Sequence, residues 1–185
     1  MDRIITAFTD EVHPAYGQIA TVDADGHPHV RTVHWRYVTS RNAIGCVCYS
    51  DSEKWRHLQL RQVYEGCYFD QTQQMQFRWE GKVELIDGRS AEDQALLSAL
   101  WEQLRPEVRA SYWAQHLHGA PTQPLGAAVN LNERCPMCVA ILTIPDRWDI
   151  YDINPTNFRQ GNRTICTRAG TQWCAEIVSL FFRRG

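Results

Sequence analysis

Apolar positions recur along this chain with two different periods. At Ile4, Ile5, Phe8 and Val12 they follow helical spacing, which predicts a helix over residues 2–12 that Pro14 ends. From residue 15 onward strand-like runs take over, at 15–22, 28–38 and 43–49. The turns Asp23-Ala24-Asp25-Gly26 and Ser40-Arg41-Asn42 separate them. Connections this short predict an antiparallel meander.

The period lengthens again over 50–62, where Ser52 is placed to cap a helix with Trp55, Leu58 and Val63 as its apolar positions. A fourth strand is predicted at 63–70 and a polar hairpin at 71–74. The run 75–86 has the clearest alternation in the chain. Met75, Phe77, Trp79, Val83 and Leu85 share one face; Gln76, Arg78, Glu80, Lys82 and Glu84 share the other. Gly81 marks a bulge or a close backbone approach. Residues 90–104 read as a helix with Ala95, Leu96, Leu100 and Leu104 near one face. Pro106 starts a second helix running to about residue 116. The polar stretch 117–134 is long for a connection and reads as a mobile loop or a lid. Strands return at 139–144, 148–153, 163–167 and 172–182. Many strands, few helices and no repeat predict a small barrel with helical additions, in a single domain over 1–185.

Composition narrows the function classes. The chain has 185 residues, 44% hydrophobic and 22% charged, with a net charge of −2. A general nucleic-acid binder is disfavoured, and no apolar run approaches the roughly 20 residues of a membrane span. Met1-Asp2-Arg3-Ile4-Ile5-Thr6 lacks a basic region followed by a long apolar run, so no signal peptide and a cytoplasmic location are expected. The seven cysteines are odd in number and several alternate with apolar residues, which predicts free thiols acting as small core hydrophobes. Cys135-Pro136-Met137-Cys138 is a lone CxxC. Zinc would need two further ligands, for which His116 and His118 are the nearby choices, and no metal site is expected. His27 and His29 flank a turn and read as solvated; His34, alternating with Trp35 on a strand, could reach a ligand pocket, though a lone strand histidine is more often structural.

Four segments carry candidate chemistry: Arg31-Thr32-Val33-His34-Trp35-Arg36, Tyr49-Ser50-Asp51-Ser52-Glu53-Lys54, Gln76-Phe77-Arg78-Trp79-Glu80-Gly81, and 148–163. In order and spacing they resemble the pyridoxamine 5′-phosphate oxidase-like FMN-binding split-barrel family, over roughly residues 15–180. The resemblance implies a six-stranded antiparallel split β-barrel with flanking helices and a homodimer with FMN at its interface. It implies cofactor contacts from Arg31, Thr32, Val33, Arg36, Tyr49, Ser50, Lys54 and Gln76. A phosphate needs multidentate cationic donors, and Arg31, Ser50 and Lys54 at a helix start supply them. An amide such as Gln76 can bond the flavin ring without a full charge. Arg105 and Arg163 are the candidates for holding an anionic small-molecule substrate; catalytic residues stay unassigned. The early strands, with Trp35 and Tyr37, are expected to form the two-fold interface.

The chain also departs from that pattern. Glu53 stands where the vitamin B6 oxidases have an arginine. Arg163-Thr164-Ile165 keeps the arginine of their Arg-Leu-His ending and lacks its histidine. Phe158-Arg159-Gln160-Gly161 lacks a tryptophan, and Trp173-Cys174-Ala175-Glu176-Ile177 matches the C-terminal motif only in part. Leu100 to Pro106 looks more like a divergent branch of the family. Two readings therefore stand: an FMN-dependent oxidoreductase, or a non-catalytic module holding FMN or haem. A flavin-free structural barrel is a third.

Overall fold

A computed structural model describes residues 2–10, 12–122, 124–125, 129–153 and 162–178. Helix α1 (Asp2–Thr9) leads into strands β1 (Ala15–Val22), β2 (Pro28–Val38) and β3 (Ala43–Tyr49). Then come α2 (Glu53–Leu60), β4 (Tyr64–Asp70), β5 (Met75–Ile86), α3 (Ala91–Glu102) and α4 (Pro106–His118). Strands β6 (Cys138–Asp152), β7 (Asn162–Ala169) and β8 (Gln172–Val178) complete the order. All pairings are antiparallel, in the order β3-β2-β1-β4-β5-β6-β7-β8, and β3 also pairs with β6. That extra pairing closes the six strands β1–β6 into a barrel, from which β7 and β8 extend as a hairpin. The predicted six-stranded barrel with flanking helices is what forms.

Alternation fills the barrel. Ile19, Val33, Trp35, Phe77, Trp79 and Trp148 point inward and are at most 8% exposed. Trp79 lies edge-on to Trp35 at 5.0 Å and donates from Nε1 to Thr143 Oγ1 at 3.0 Å. Gly66 leaves room for it, because a β-carbon there would overlap the Trp79 ring. Helix α1 packs its apolar face on this core, with Phe8 5.3 Å from Trp79. After it, Asp10 Oδ1 accepts the Val12 and His13 amides, which stops the helix before Pro14.

Helices α3 and α4 cover the outside of β3 and β6. Leu97 and Leu100 meet Ala140 and Leu142; Trp101, Leu104 and Tyr112 meet Cys138. The buried face of α3 is therefore Leu97, Leu100 and Trp101, and Ala95 is exposed. Helix α4 runs two residues past the expected end, to His118, and is closed by Gly119, whose φ of 68° suits a glycine.

Two further expectations change. The runs 139–144 and 148–153 belong to one strand, β6. Asp146 is the residue that lets it continue: Gly81 faces Pro145 and Glu80 faces Arg147, so Asp146 is the extra residue of a bulge opposite Glu80 and Gly81. And Trp35 is fully buried and offers no surface to a partner, while Tyr37 is half-buried against the core. Cys46, Cys48, Cys135 and Cys138 are buried free thiols as expected, but Cys174 is exposed. No described helix is long and apolar enough to cross a membrane.

Candidate functional site

The barrel is split between β2 and β3. Strand β2 pairs with β1 along residues 28–35, but with β3 only through Arg36, Tyr37 and Val38. Strand β3 turns away to pair with β6 from Ile44 to Tyr49. The β2 edge from Arg31 to Trp35 therefore has no strand neighbour among the described residues and presents free backbone groups to the gap. The first turn of α2 lies across it. Glu53 acts electrostatically on Arg31 of β2, and Lys54 on Cys46 and Cys48 of β3.

Arg31 is held by one side of its guanidinium. Nη1 donates to Thr21 Oγ1 at 2.6 Å and to the His29 carbonyl at 2.8 Å. Nη2 is buried with no partner among the described residues. Ser52, the N-cap of α2, makes no side-chain cap bond; its buried Oγ interacts with the Cys48 thiol but has no partner in hydrogen-bond geometry among the described residues. Buried polar groups are paired in the great majority of cases. Two orphans beside a helix N-terminus, with a half-buried lysine in its first turn, form a cradle suited to an anion. The chain at Tyr49–Ser52 is fixed by backbone bonds, Ser50 N to Met137 O at 2.9 Å and Ser52 N to Tyr49 O at 3.0 Å.

A second group lies on the opposite, outer face of β2. The five-residue spacing of Arg31 and Arg36 places them on opposite faces. Arg36 is half-buried beside His34, Tyr16 and Tyr112. The Tyr16 and His34 rings lie 4.8 Å apart, tilted by 32°. Burial, then the charges of Arg36 and Arg105, pull the His34 imidazole down to about 4, so it is neutral at physiological pH. Arg105, the exposed N-cap of α4, thus stands near this group.

The other predicted residues fall as follows. Val33 is buried in the core and offers only its backbone to the gap, while the Thr32 side chain is exposed. Tyr49 points under α4, 4.3 Å from the Tyr112 ring and 3.1 Å from Ser111 Oγ, so its side chain turns away from the gap. Gln76 is on the outer face of β5, where Nε2 donates to Cys67 Sγ at 3.4 Å. Strand pairing puts Gln76 three strands from β2, about 14 Å at the usual spacing. It shares a face with Thr32 and Gln18, not a pocket with Arg31. Arg163 is engaged by Asp149 through two hydrogen bonds. Cys135 and Cys138 are buried under α4, Cys135 Sγ 3.4 Å from the Tyr112 carbonyl, while His116 and His118 are exposed. Phe158 to Gly161 lie outside the described residues. By sequence Ser52 reads only as a cap, and His34 as structural though within reach of a pocket; Thr21 and His57 give no signal, because only the fold brings them to Arg31. A cavity of about 130 Å³ lies elsewhere, between α1, the β2–β3 turn and the β7–β8 hairpin, and touches none of these residues.

The family model for the FMN-binding domain of pyridoxamine 5′-phosphate oxidase matches residues 2–87, the part of the chain that contains the split, α2 and Gln76. No curated protein matches. Among solved structures, a pyridoxamine 5′-phosphate oxidase-related, FMN-binding protein from Nostoc punctiforme is 22% identical. The match covers 96% of this chain and 94% of that one, with a TM-score of 0.76. PhzG from Burkholderia lata, solved with tetrahydrophenazine-1-carboxylic acid, is 17% identical over 90% of this chain and 82% of its own, with a TM-score of 0.69. A haem-binding protein from Mycobacterium smegmatis is 13% identical, covering 88% of this chain but 57% of its own, at 0.52. At these identities the likeness is one of fold. Over residues 2–87 the chain thus matches the FMN-binding domain of pyridoxamine 5′-phosphate oxidase, and its split barrel shares the fold of the solved structures above.

Proposed function

We propose that this protein binds FMN and uses it as an oxidoreductase on a small molecule. The observation that carries this reading is the pair of orphaned buried groups, Arg31 Nη2 and Ser52 Oγ, at the start of α2 beside Lys54. A phosphate dianion would accept from both, from Lys54, and from the free amides of the first helical turn. The free β2 edge at Thr32 and Val33 then offers backbone groups to the polar edge of a flavin. The outer face carries Arg36, His34 and Gln76 toward its ring. FMN supplies the two-electron chemistry; the chain supplies charge, orientation and shelter from water. Neutral His34 can accept or donate a hydrogen bond beside the ring without adding charge. Arg105, exposed and close enough to act on His34, is the candidate for holding an anionic substrate there.

The reading includes a homodimer. Tyr16, Val30 and Phe69 face outward on β1, β2 and β4 and are 53%, 65% and 38% exposed. They surround the row that joins Thr32, Gln18 and Cys67, and a two-fold copy would cover them and the flavin together.

The test is ligand selection. Purified protein should be yellow or become so with FMN, and should hold FMN more tightly than riboflavin. Arg31→Ala should weaken FMN binding by about 1.5–3 kcal/mol, the worth of a charge-assisted hydrogen bond, and leave riboflavin alone. Equal affinity for the two flavins would overturn the assignment. Light scattering should report a dimer, and anaerobic bleaching of the flavin by a candidate amine would show turnover.

A second reading is a binding module without turnover, holding FMN or haem. The engagement of Arg163 by Asp149 favours it, because that arginine is not free to grip substrate. Bound flavin that no donor reduces, or a haem spectrum in the purified protein, would select it.

A further inference from the structure

Thr21 is a buried hydroxyl, 1% exposed, near the C-terminal end of β1. It has one proton to donate and two lone pairs to accept with. Arg31 Nη1, 2.6 Å away, can only donate, so Thr21 accepts there. The other partner of Thr21 is His57 Nδ1 at 2.9 Å. The hydroxyl donates to that nitrogen or accepts from it according to the tautomer of the ring, and either bond ties Thr21 to His57. Burial, then the neighbouring His29 and Arg31, lower the proton affinity of His57 and favour a neutral ring. The His29 ring lies 4.8 Å from His57 and is itself tied to Asp23 Oδ2 at 2.9 Å through Nε2.

His57 belongs to α2, the helix whose first turn forms the anion cradle; Arg31 belongs to β2. Thr21 of β1 joins the two. Its bond to Nη1, with that of the His29 carbonyl, fixes the guanidinium and leaves Nη2 as the unpaired donor. An arginine side chain loses considerable rotamer entropy when ordered, and a site that orders it beforehand avoids that loss on binding.

We propose that Thr21 and His57 are positioning residues for phosphate recognition: the chain His57–Thr21–Arg31 holds the arginine of β2 in register with the N-terminus of α2. This rests on the reading of that cradle as the FMN phosphate site. It adds Thr21 and His57 to the residues of that site and assigns them to selection of the phosphorylated cofactor over the unphosphorylated one.

The experiment is titration of the apoprotein with FMN and with riboflavin, read as the ratio of the two dissociation constants, with thermal unfolding followed alongside. Thr21→Val keeps the shape of the side chain and removes the hydroxyl. It should lower the discrimination ratio about tenfold, the worth of one such hydrogen bond, without changing riboflavin affinity. Thr21→Ser should restore it. His57→Leu, which deletes the far end of the chain, should lower the ratio in the same direction and serves if Thr21→Val does not fold. A role confined to stability would shift the melting temperature and leave the ratio unmoved. Wild-type protein that discriminates, with the ratio unchanged in Thr21→Val and His57→Leu, overturns the relay alone. Wild-type protein that holds both flavins equally removes the phosphate site, and the relay with it.

Discussion

Arg163 and Asp149 meet across β7 and β6 through two parallel hydrogen bonds, Nε to Oδ1 at 2.8 Å and Nη2 to Oδ2 at 2.6 Å. The carboxylate is 5% exposed and is also approached by Arg78 Nη1 at 3.6 Å; Arg78 in turn pairs with Glu65. A chain of charges thus crosses the outer face of β4, β5, β6 and β7 with Asp149 at its centre.

The two ends of that pair should respond differently to removal. Asp149→Ala leaves Arg78 and Arg163 facing each other without the shared anion. Arg163→Ala leaves Asp149 still served by Arg78. We expect Asp149→Ala to cost about 1–3 kcal/mol, discounted for the partly solvated arginines, and Arg163→Ala to cost less. Urea unfolding gives both. An equal or larger loss in Arg163→Ala would show that Arg78 does not share the carboxylate.

Gly66 is where the barrel core has no slack. Its missing β-carbon is replaced by the Trp79 ring, which is 1% exposed and tied to Thr143. Gly66→Ala forces Trp79 out of contact with Trp35, and should destabilise the chain by about 1–3 kcal/mol. The near-ultraviolet circular dichroism of the stacked tryptophans should weaken with it. An unchanged spectrum and unfolding midpoint would show that the core repacks freely.

The strands of the barrel were legible because each has one buried face, and alternation over 75–86 placed every inward residue correctly, Met75 to Leu85. What failed was longer in range. The bulge at Asp146 interrupts the alternation of β6, so one strand read as two. The buried face of α3 slipped because Leu96, Leu97, Leu100 and Trp101 crowd one arc, and only the partner surface of Ala140 and Leu142 decides among them. Arg31 and Lys54 were legible as candidates for a phosphate through their family spacing. Thr21 and His57 were not, since 36 residues separate them and no local pattern marks either.

His34 should make stability depend on pH in a defined direction. Its imidazole stays neutral in the folded chain down to about 4, while the unfolded chain takes up a proton near the ordinary 6.5. Between these values the unfolded state binds more protons, so stability falls as pH falls. The ring is partly solvated, so the slope owed to it is about 1 kcal/mol or less between pH 6 and 5, below the full 1.4 or so. His34→Asn should flatten urea-derived stability over that interval, leaving a smaller slope from His57, whose imidazole is shifted the same way. A slope identical to wild type would mean that the unfolded and folded states protonate His34 alike.

Oxidation of pyridoxine 5′-phosphate needs a gripped phosphate and a substrate carbon held over the flavin ring. In the resembled oxidases an arginine and, two residues on, a histidine provide part of that grip. Here the arginine is Arg163, already occupied by Asp149, and the second position is Ile165, on the same face of β7 and opposite Asp149 in the β6 register. A β-branched apolar side chain can neither donate to nor accept from the substrate. Freeing Arg163 would require breaking a bidentate pair whose carboxylate would be left with Arg78 alone. Misplacement of a reacting group by about 1 Å can lower turnover a hundredfold. FMN-saturated protein should therefore form pyridoxal 5′-phosphate at least about a hundredfold more slowly than an oxidase with the complete signature. The measurement is oxygen-dependent product formation at saturating FMN. Comparable turnover would show that another residue takes the place of the histidine, and would return the chain to vitamin B6 chemistry.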